Sequence, residues 1–188
     1  MPPHLACTVL FAINTGCRER EITQLRWCQE YRLPALGVSV FVLSRDGTKN
    51  GEKRIVLLNT VARSLVESCR GQHPDYVFVY DGNPVERMNN SAWRRARIKM
   101  RLEAVRVHGL RHTFGIRLRA AGVSMEDRQD LLGHKFGQIT THYSAAEPDN
   151  LLTAVEKIAE LMFQESPNLI LIREQGGRQG LDLLVWVP

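Results

Sequence analysis

The sequence predicts a mostly α domain with a small antiparallel β-sheet, an α+β class, and three observations predict it. Apolar residues recur at helical spacing behind recognisable caps in several segments. Two β-branched runs flank a turn that carries two glycines. At 188 residues and 44% hydrophobic content, the chain can bury one core without disulfide staples.

Leu5, Val9, Leu10 and Ile13 share one helical face, and Thr15-Gly16 closes that helix. Glu21 to Trp27 reads as a short second helix. From Tyr31 to Leu58 the pattern turns to strands, Val38–Val42 and Arg54–Leu58, around the turn Asp46–Gly51. Val61–Cys69 is helical again, and Tyr76–Val79 is one more short strand. Asn90 or Ser91 caps a basic helix that runs through Arg101. Another runs from about Gly109 to Ala121, where Gly122 ends it. Ser124 with Asp127 makes a capping box for a third, which ends at Gly133. Pro148 opens the last helix, with Leu151, Leu152, Val155, Ile158, Ala159 and Met162 on one stripe. Leu169–Ile172 reads as a terminal strand, and Gly176-Gly177 begins a loose end.

Composition narrows the function classes. The apolar stretch Leu5–Ile13 is half of what a membrane span needs, and Arg18-Glu19-Arg20-Glu21 follows it, so neither an anchor nor a signal peptide is expected. Cys7, Cys17, Cys28 and Cys69 show no CxxC spacing, which predicts a reduced cytosolic protein without a zinc site. Net charge is +5, and its distribution is uneven. Residues 87–124 hold ten basic side chains against Glu103 alone. Clustered arginine suits phosphate recognition, because a planar guanidinium can give two parallel hydrogen bonds to one phosphate. A solvated basic helix face is the plainer alternative; nucleic acid is the reading preferred here.

Three clusters fit phosphate chemistry. The first is Thr15-Gly16-Cys17-Arg18-Glu19-Arg20-Glu21, in which Glu21 is within reach to orient the Arg18 guanidinium. The second is His108-Gly109-Leu110-Arg111-His112. The third is Leu132-Gly133-His134, followed nine residues later by Tyr143. Their order, with Lys49 in a hairpin turn between the first and second, resembles the tyrosine recombinases, the phage integrases and their relatives. Residues 15–27 look like the segment bearing that family's first catalytic arginine, and Thr48-Lys49-Asn50-Gly51 resembles its hairpin lysine motif. His108–Phe114 resembles its histidine–arginine box, and Leu131–Tyr143 its last box. The resemblance covers roughly residues 3–165.

It implies the catalytic-domain fold of that family and a reaction, site-specific DNA breakage and rejoining for integration or excision. Transesterification at phosphorus places extra charge on the non-bridging oxygens, which fixed donors stabilise best away from water. On the resemblance, Arg18 and Arg111 clamp the phosphate, His134 donates a further hydrogen bond, and Tyr143 is the nucleophile. The tyrosine proton must leave during attack, and His108 is the expected acceptor. Lys49 protonates the departing 5′ hydroxyl. The 3′-phosphotyrosyl link conserves the bond energy, so no cofactor and no metal are expected. His112 is read as a structural hydrogen bonder. The family's box usually reads His-Asp-Leu-Arg; Gly109 stands in the Asp position, where it is expected to cap the helix less well.

The resemblance also implies a domain layout: a catalytic domain over 1–165, a C-terminal strand and tail over 166–188, and the family's N-terminal DNA-binding clamp domain absent. The expected partners are double-stranded DNA and further integrase protomers, with no membrane, in the cytoplasm of a bacterial host. The helix from Pro148 and the strand Leu169–Ile172 are candidates to pack on a neighbouring protomer; the alternative for the strand is to fold back in cis on the sheet of residues 38–58. Two other readings remain: a remnant that binds DNA or a full-length integrase without recombining, and a type IB topoisomerase-like enzyme, which its reaction product would distinguish.

Overall fold

The computed structural model describes residues 1–43, 54–133 and 148–163. The predicted class is observed, with helices packed around a three-stranded antiparallel sheet. Helix α1 (Pro3–Thr15) begins on a proline, whose missing N–H costs nothing in a first turn. Gly16 ends it in the left-handed conformation, its N–H donating to the Ala12 carbonyl. Glycine is required there twice over, because a Cβ would also lie 2.4 Å from Cδ1 of Phe114.

The second helix departs from the expectation of Glu21–Trp27: α2 spans Glu19–Thr23. Its start moves back because the Glu21 carboxylate accepts from the Arg18 backbone N–H at 2.8 Å. Its end moves back because Leu25 and Trp27 spend their backbone groups on Val77 and Asp75, which draws the chain alongside residues 75–77. Strand β1 (Glu30–Leu33) is not separable from sequence alone, since its polar Glu30 and Arg32 hide the period. It pairs with β2 (Val38–Leu43), which pairs with β3 (Arg54–Leu57) in the order β1-β2-β3. Leu43 stands opposite Arg54.

Asn59 caps α3 (Thr60–Cys69) by accepting from Ala62 N–H at 2.9 Å. The predicted strand Tyr76–Val79 is shorter and later: Tyr76 makes one bridge to Arg26, and β4 (Val79–Tyr80) forms a tight hairpin with β5 (Asn83–Pro84). Asp81 and Gly82 both have positive φ, as a two-residue hairpin turn needs. Helix α4 (Ser91–Lys99) is capped by Asn90, as expected, but stops two residues before Arg101. Arg97 explains this: its Nη1 donates to the carbonyls of Glu103 and Val105, each at 2.7 Å, and folds the chain back.

Helix α5 (Val107–Ala120) starts ahead of Gly109, so Gly109 lies inside the first turn and is not the cap. A side chain at 109 would meet nothing within 4 Å, so no steric demand for glycine exists there. Helix α6 (Met125–Leu132) is capped by Ser124 and closed by Gly133 in the left-handed conformation, as predicted. Helix α7 (Pro148–Phe163) buries Val155, Ile158 and Ala159 of the predicted stripe, with Ala154 buried beside them. The predicted strand Leu169–Ile172 and the tail 166–188 lie outside the described residues, as does the turn Asp46–Gly51.

The apolar interior has two parts. One joins α1, α2, α3 and the β4–β5 region through Leu5, Phe11, Ile22, Val66, Phe78 and Met88. The other joins β2, β3, α5, α6 and α7 through Val40, Leu57, Phe114, Leu118, Val155 and Ile158. Polar links tie the two together. Asn59 Nδ2 donates to Asn14 Oδ1 at 3.0 Å and to the Val155 carbonyl at 3.3 Å. Arg117 donates to the carbonyls of Ile13 and Ile158 at 3.1 and 2.6 Å. Helix α1 is thereby fixed against α3, α5 and α7, and its C-terminal turn is held firmly in place.

Candidate functional site

Three loci meet at the C-terminal end of α1. Gly16 turns the chain so that Cys17 and Arg18 emerge between α1 and α2. The first turn of α5 presents His108 and Arg111 to the same place, because the Gly16–Phe114 contact brings the two helices close. Together they line an open cleft of about 720 Å3, whose far wall is Glu86, Arg87 and Asn89. Glu19 holds that wall: its Oε1 accepts from the backbone N–H groups of Met88 and Asn89 at 2.7 and 3.0 Å. Sequence reasoning misses Glu19, since its partners lie 69 and 70 residues away and no local signal marks them.

Arg18, His108 and Arg111, three of the six predicted site residues, are thus brought together. Lys49, His134 and Tyr143 lie outside the described residues. His112 is exposed and is not part of the cleft lining.

The two arginines are held differently. Arg18 Nη1 donates to Glu21 Oε1 at 2.7 Å while Glu21 Oε2 takes the Arg18 backbone N–H, so one carboxylate secures both ends of the residue. The Arg18 side chain keeps about a fifth of its surface open, and Glu21 is sealed. Arg111 is 5% exposed; its Nη1 donates to the Gly16 carbonyl at 2.6 Å and its Nη2 to the Leu132 carbonyl. Burial, and then the nearby charges of Arg54 and Arg18, push the Arg111 pKa down to about 10. It remains cationic at neutral pH. Burial pushes the Cys17 thiol up, so this cysteine is a packing residue at neutral pH.

A third guanidinium completes the cluster, one that the sequence marks only as the start of a strand. Arg54 Nη1 donates to Glu21 Oε2 at 2.6 Å. Glu21 thus pairs with both Arg18 and Arg54, and its charge also reaches the nearby Arg111, whose own bonds go to carbonyls. The cluster is short of negative charge, and an anion in the cleft would relieve that deficit.

Beyond the cleft, the basic segment 87–124 divides in two. Arg97, Arg111 and Arg117 are committed to backbone carbonyls. Arg87, Arg94, Arg95, Lys99, Arg101, Arg106 and Arg119 are exposed. Among the described residues, no group of three His, Cys, Asp or Glu side chains is placed to hold a metal ion. Nor is any described helix long and apolar enough to cross a membrane.

A family model described as the phage integrase family matches residues 2–149. The integrase of Salmonella phage P22 is 29% identical over 178 residues, covering 88% of this chain and 45% of that protein. Among solved structures, the XerH site-specific recombinase bound to difH substrate, a pre-cleavage complex, matches with a TM-score of 0.53 and 20% identity. That match covers 88% of this chain and 49% of XerH, and it carries the fold. The chain thus spans about half the length of the relatives it matches. With the family match running from α1 through the start of α7, the chain belongs to the phage integrase family.

Proposed function

We propose that this chain breaks and rejoins DNA strands by transesterification, in site-specific integration or excision, at the cleft between α2 and α5. The observation that carries the reading is the convergence of Arg18, His108 and Arg111 on one cleft, with Arg54 buried behind it and Glu21 pairing Arg18 and Arg54. Such a cluster favours a phosphodiester, and it favours still more the phosphorane with its added charge. Arg18 and Arg111 contact the non-bridging oxygens, and His134 donates one more hydrogen bond. Tyr143 attacks phosphorus through Oη and gives its proton to His108. The P–O5′ bond breaks, and the 5′ oxygen takes a proton from Lys49. The roles of Lys49, His134 and Tyr143 rest on the motifs in which they stand. Rejoining reverses each step.

The seven exposed cations of residues 87–124 are the proposed contacts to the duplex backbone, with double-stranded DNA as partner and further integrase protomers completing assembly. The bacterial cytoplasm is the proposed place of action.

Covalent trapping tests the reading. Nicked duplexes carrying the junctions that flank the reading frame in its genome prevent religation. An SDS-resistant protein–DNA band that disappears in Tyr143→Phe is the expected result. No band at low salt and high protein concentration would overturn strand cleavage by this chain. It would leave a chain that binds DNA, or another integrase, without recombining.

A further inference from the structure

We infer that Arg54, which does not line the cleft, is a positioning residue that sets the two cleft guanidiniums in register; the inference rests on the strand-transfer reading above. Arg54 is the first residue of β3 and is 6% exposed. Its guanidinium makes three contacts: Nη1 to Glu21 Oε2 at 2.6 Å, and Nη2 to the carbonyls of Thr15 and Leu131 at 3.1 and 2.7 Å. Each contact falls on, or next to, a group that holds a cleft arginine. Glu21 itself grips Arg18. Thr15 precedes Gly16, and Leu131 precedes Leu132, and those two carbonyls grip Arg111. One planar fork thus ties together the end of α1, the first turn of α2 and the end of α6.

A purely structural role explains this choice poorly. A second buried cation beside Arg111 is repelled by it, and Arg54 Nε finds no hydrogen-bond partner among the described residues. An apolar pair at positions 54 and 21 would fill the volume without that cost, and without a buried carboxylate to compensate. What only arginine supplies is a rigid fork reaching three acceptors on three segments at once. The surroundings are also shaped around it, since a Cβ at Gly133 would lie 2.8 Å from Arg54 Cδ.

The test uses Arg54→Lys in the full 188-residue chain. Lysine keeps the charge but cannot span all three acceptors. The rate of covalent complex formation at saturating nicked duplex should fall about tenfold or more, since a displacement near 1 Å can cost that much. Duplex affinity should stay within about threefold, because the exposed cations that dominate it are untouched. In nitrogen-15 spectra of the free protein, the Arg18 Nη signals should be resolved in wild type and averaged in Arg54→Lys. Should Arg54→Lys fail to fold, Gly133→Ala presses on the same fork without removing a charge, and the same pattern is expected. Unchanged saturating rate and unchanged Arg18 signals, in whichever variant folds, would overturn the inference. If wild type itself forms no covalent complex, the strand-transfer reading fails, and the Arg18 signals alone decide whether Arg54 positions it.

Discussion

Replacing Glu21 by glutamine would remove the carboxylate shared by Arg18 and Arg54 while keeping its shape. The Glu21 side chain is 1% exposed and the Arg54 side chain 5%, with 2.6 Å between them, so solvent screens this pair little. Breaking one side of such a pair costs about 3–5 kcal/mol, because the remaining charge stays buried without compensation. Glutamine can still accept from the Arg18 backbone N–H, so the first turn of α2 should survive. With a urea m-value of about 2 kcal/mol/M, the unfolding midpoint should drop by about 2 M. Arg54→Met alone should also destabilise, by less, because buried Glu21 loses one guanidinium and keeps Arg18. The double variant removes both charges and should lose much less than the two losses together, with a coupling of at least about 2 kcal/mol. Urea titration followed by fluorescence of the buried Trp93 reads all four proteins. Losses that add to within about 0.5 kcal/mol would refute the argument that these charges compensate each other.

Other contacts give further expected outcomes. Arg94 and Arg95 are exposed on α4, so changing both to Gln should flatten the slope of log Kd for duplex DNA against log salt by about 2; an unchanged slope in a fluorescence anisotropy titration would remove α4 from the interface. Gly16→Ala meets both a positive φ and the Phe114 ring, and should destabilise by about 2–4 kcal/mol in thermal or urea unfolding. Phe114→Leu in the same chain should recover part of that loss. Cys7 and Cys69 Sγ atoms lie 3.7 Å apart, linking α1 to α3, and the hydrogen bond from Cys7 holds the Cys69 thiol down to about 7. Treatment with diamide should therefore join them, faster as pH rises through 7, and raise stability by about 4 kcal/mol for a loop of that length. A thermal midpoint that does not rise in the oxidised protein would count against this.

The parts of the site that are legible in the sequence are those whose logic is local. Arg18 stands at a glycine turn with Glu21 three residues on, and the structure joins that pair by direct hydrogen bonds. His108 and Arg111 share one helical turn, so their common direction follows from spacing. Arg54 and Glu19 are opaque because their meaning lies 33 and 69 residues away, in partners that only the folded chain supplies. Helix ends move for the same reason. Arg97 reaches Glu103 and Val105 to stop α4, and Leu25 turns to Val77 and so cuts α2 short. Charge counting overstates the free charge of residues 87–124, since Arg97, Arg111 and Arg117 are committed to carbonyls.

The double grip of Glu21 on Arg18 has a consequence for the thermodynamics of ligand capture. Backbone N–H, side chain and carboxylate close into a ring, so Arg18 has already given up most of its rotamer freedom in the empty protein. A free arginine side chain surrenders roughly 2 kcal/mol of such entropy when it is immobilised. Here that loss falls on folding, where the whole core offsets it, so under the proposed function a phosphate would meet a donor that is already still. Affinity gained this way is preorganisation, and its signature is a smaller unfavourable entropy of binding than a freely swinging arginine would show.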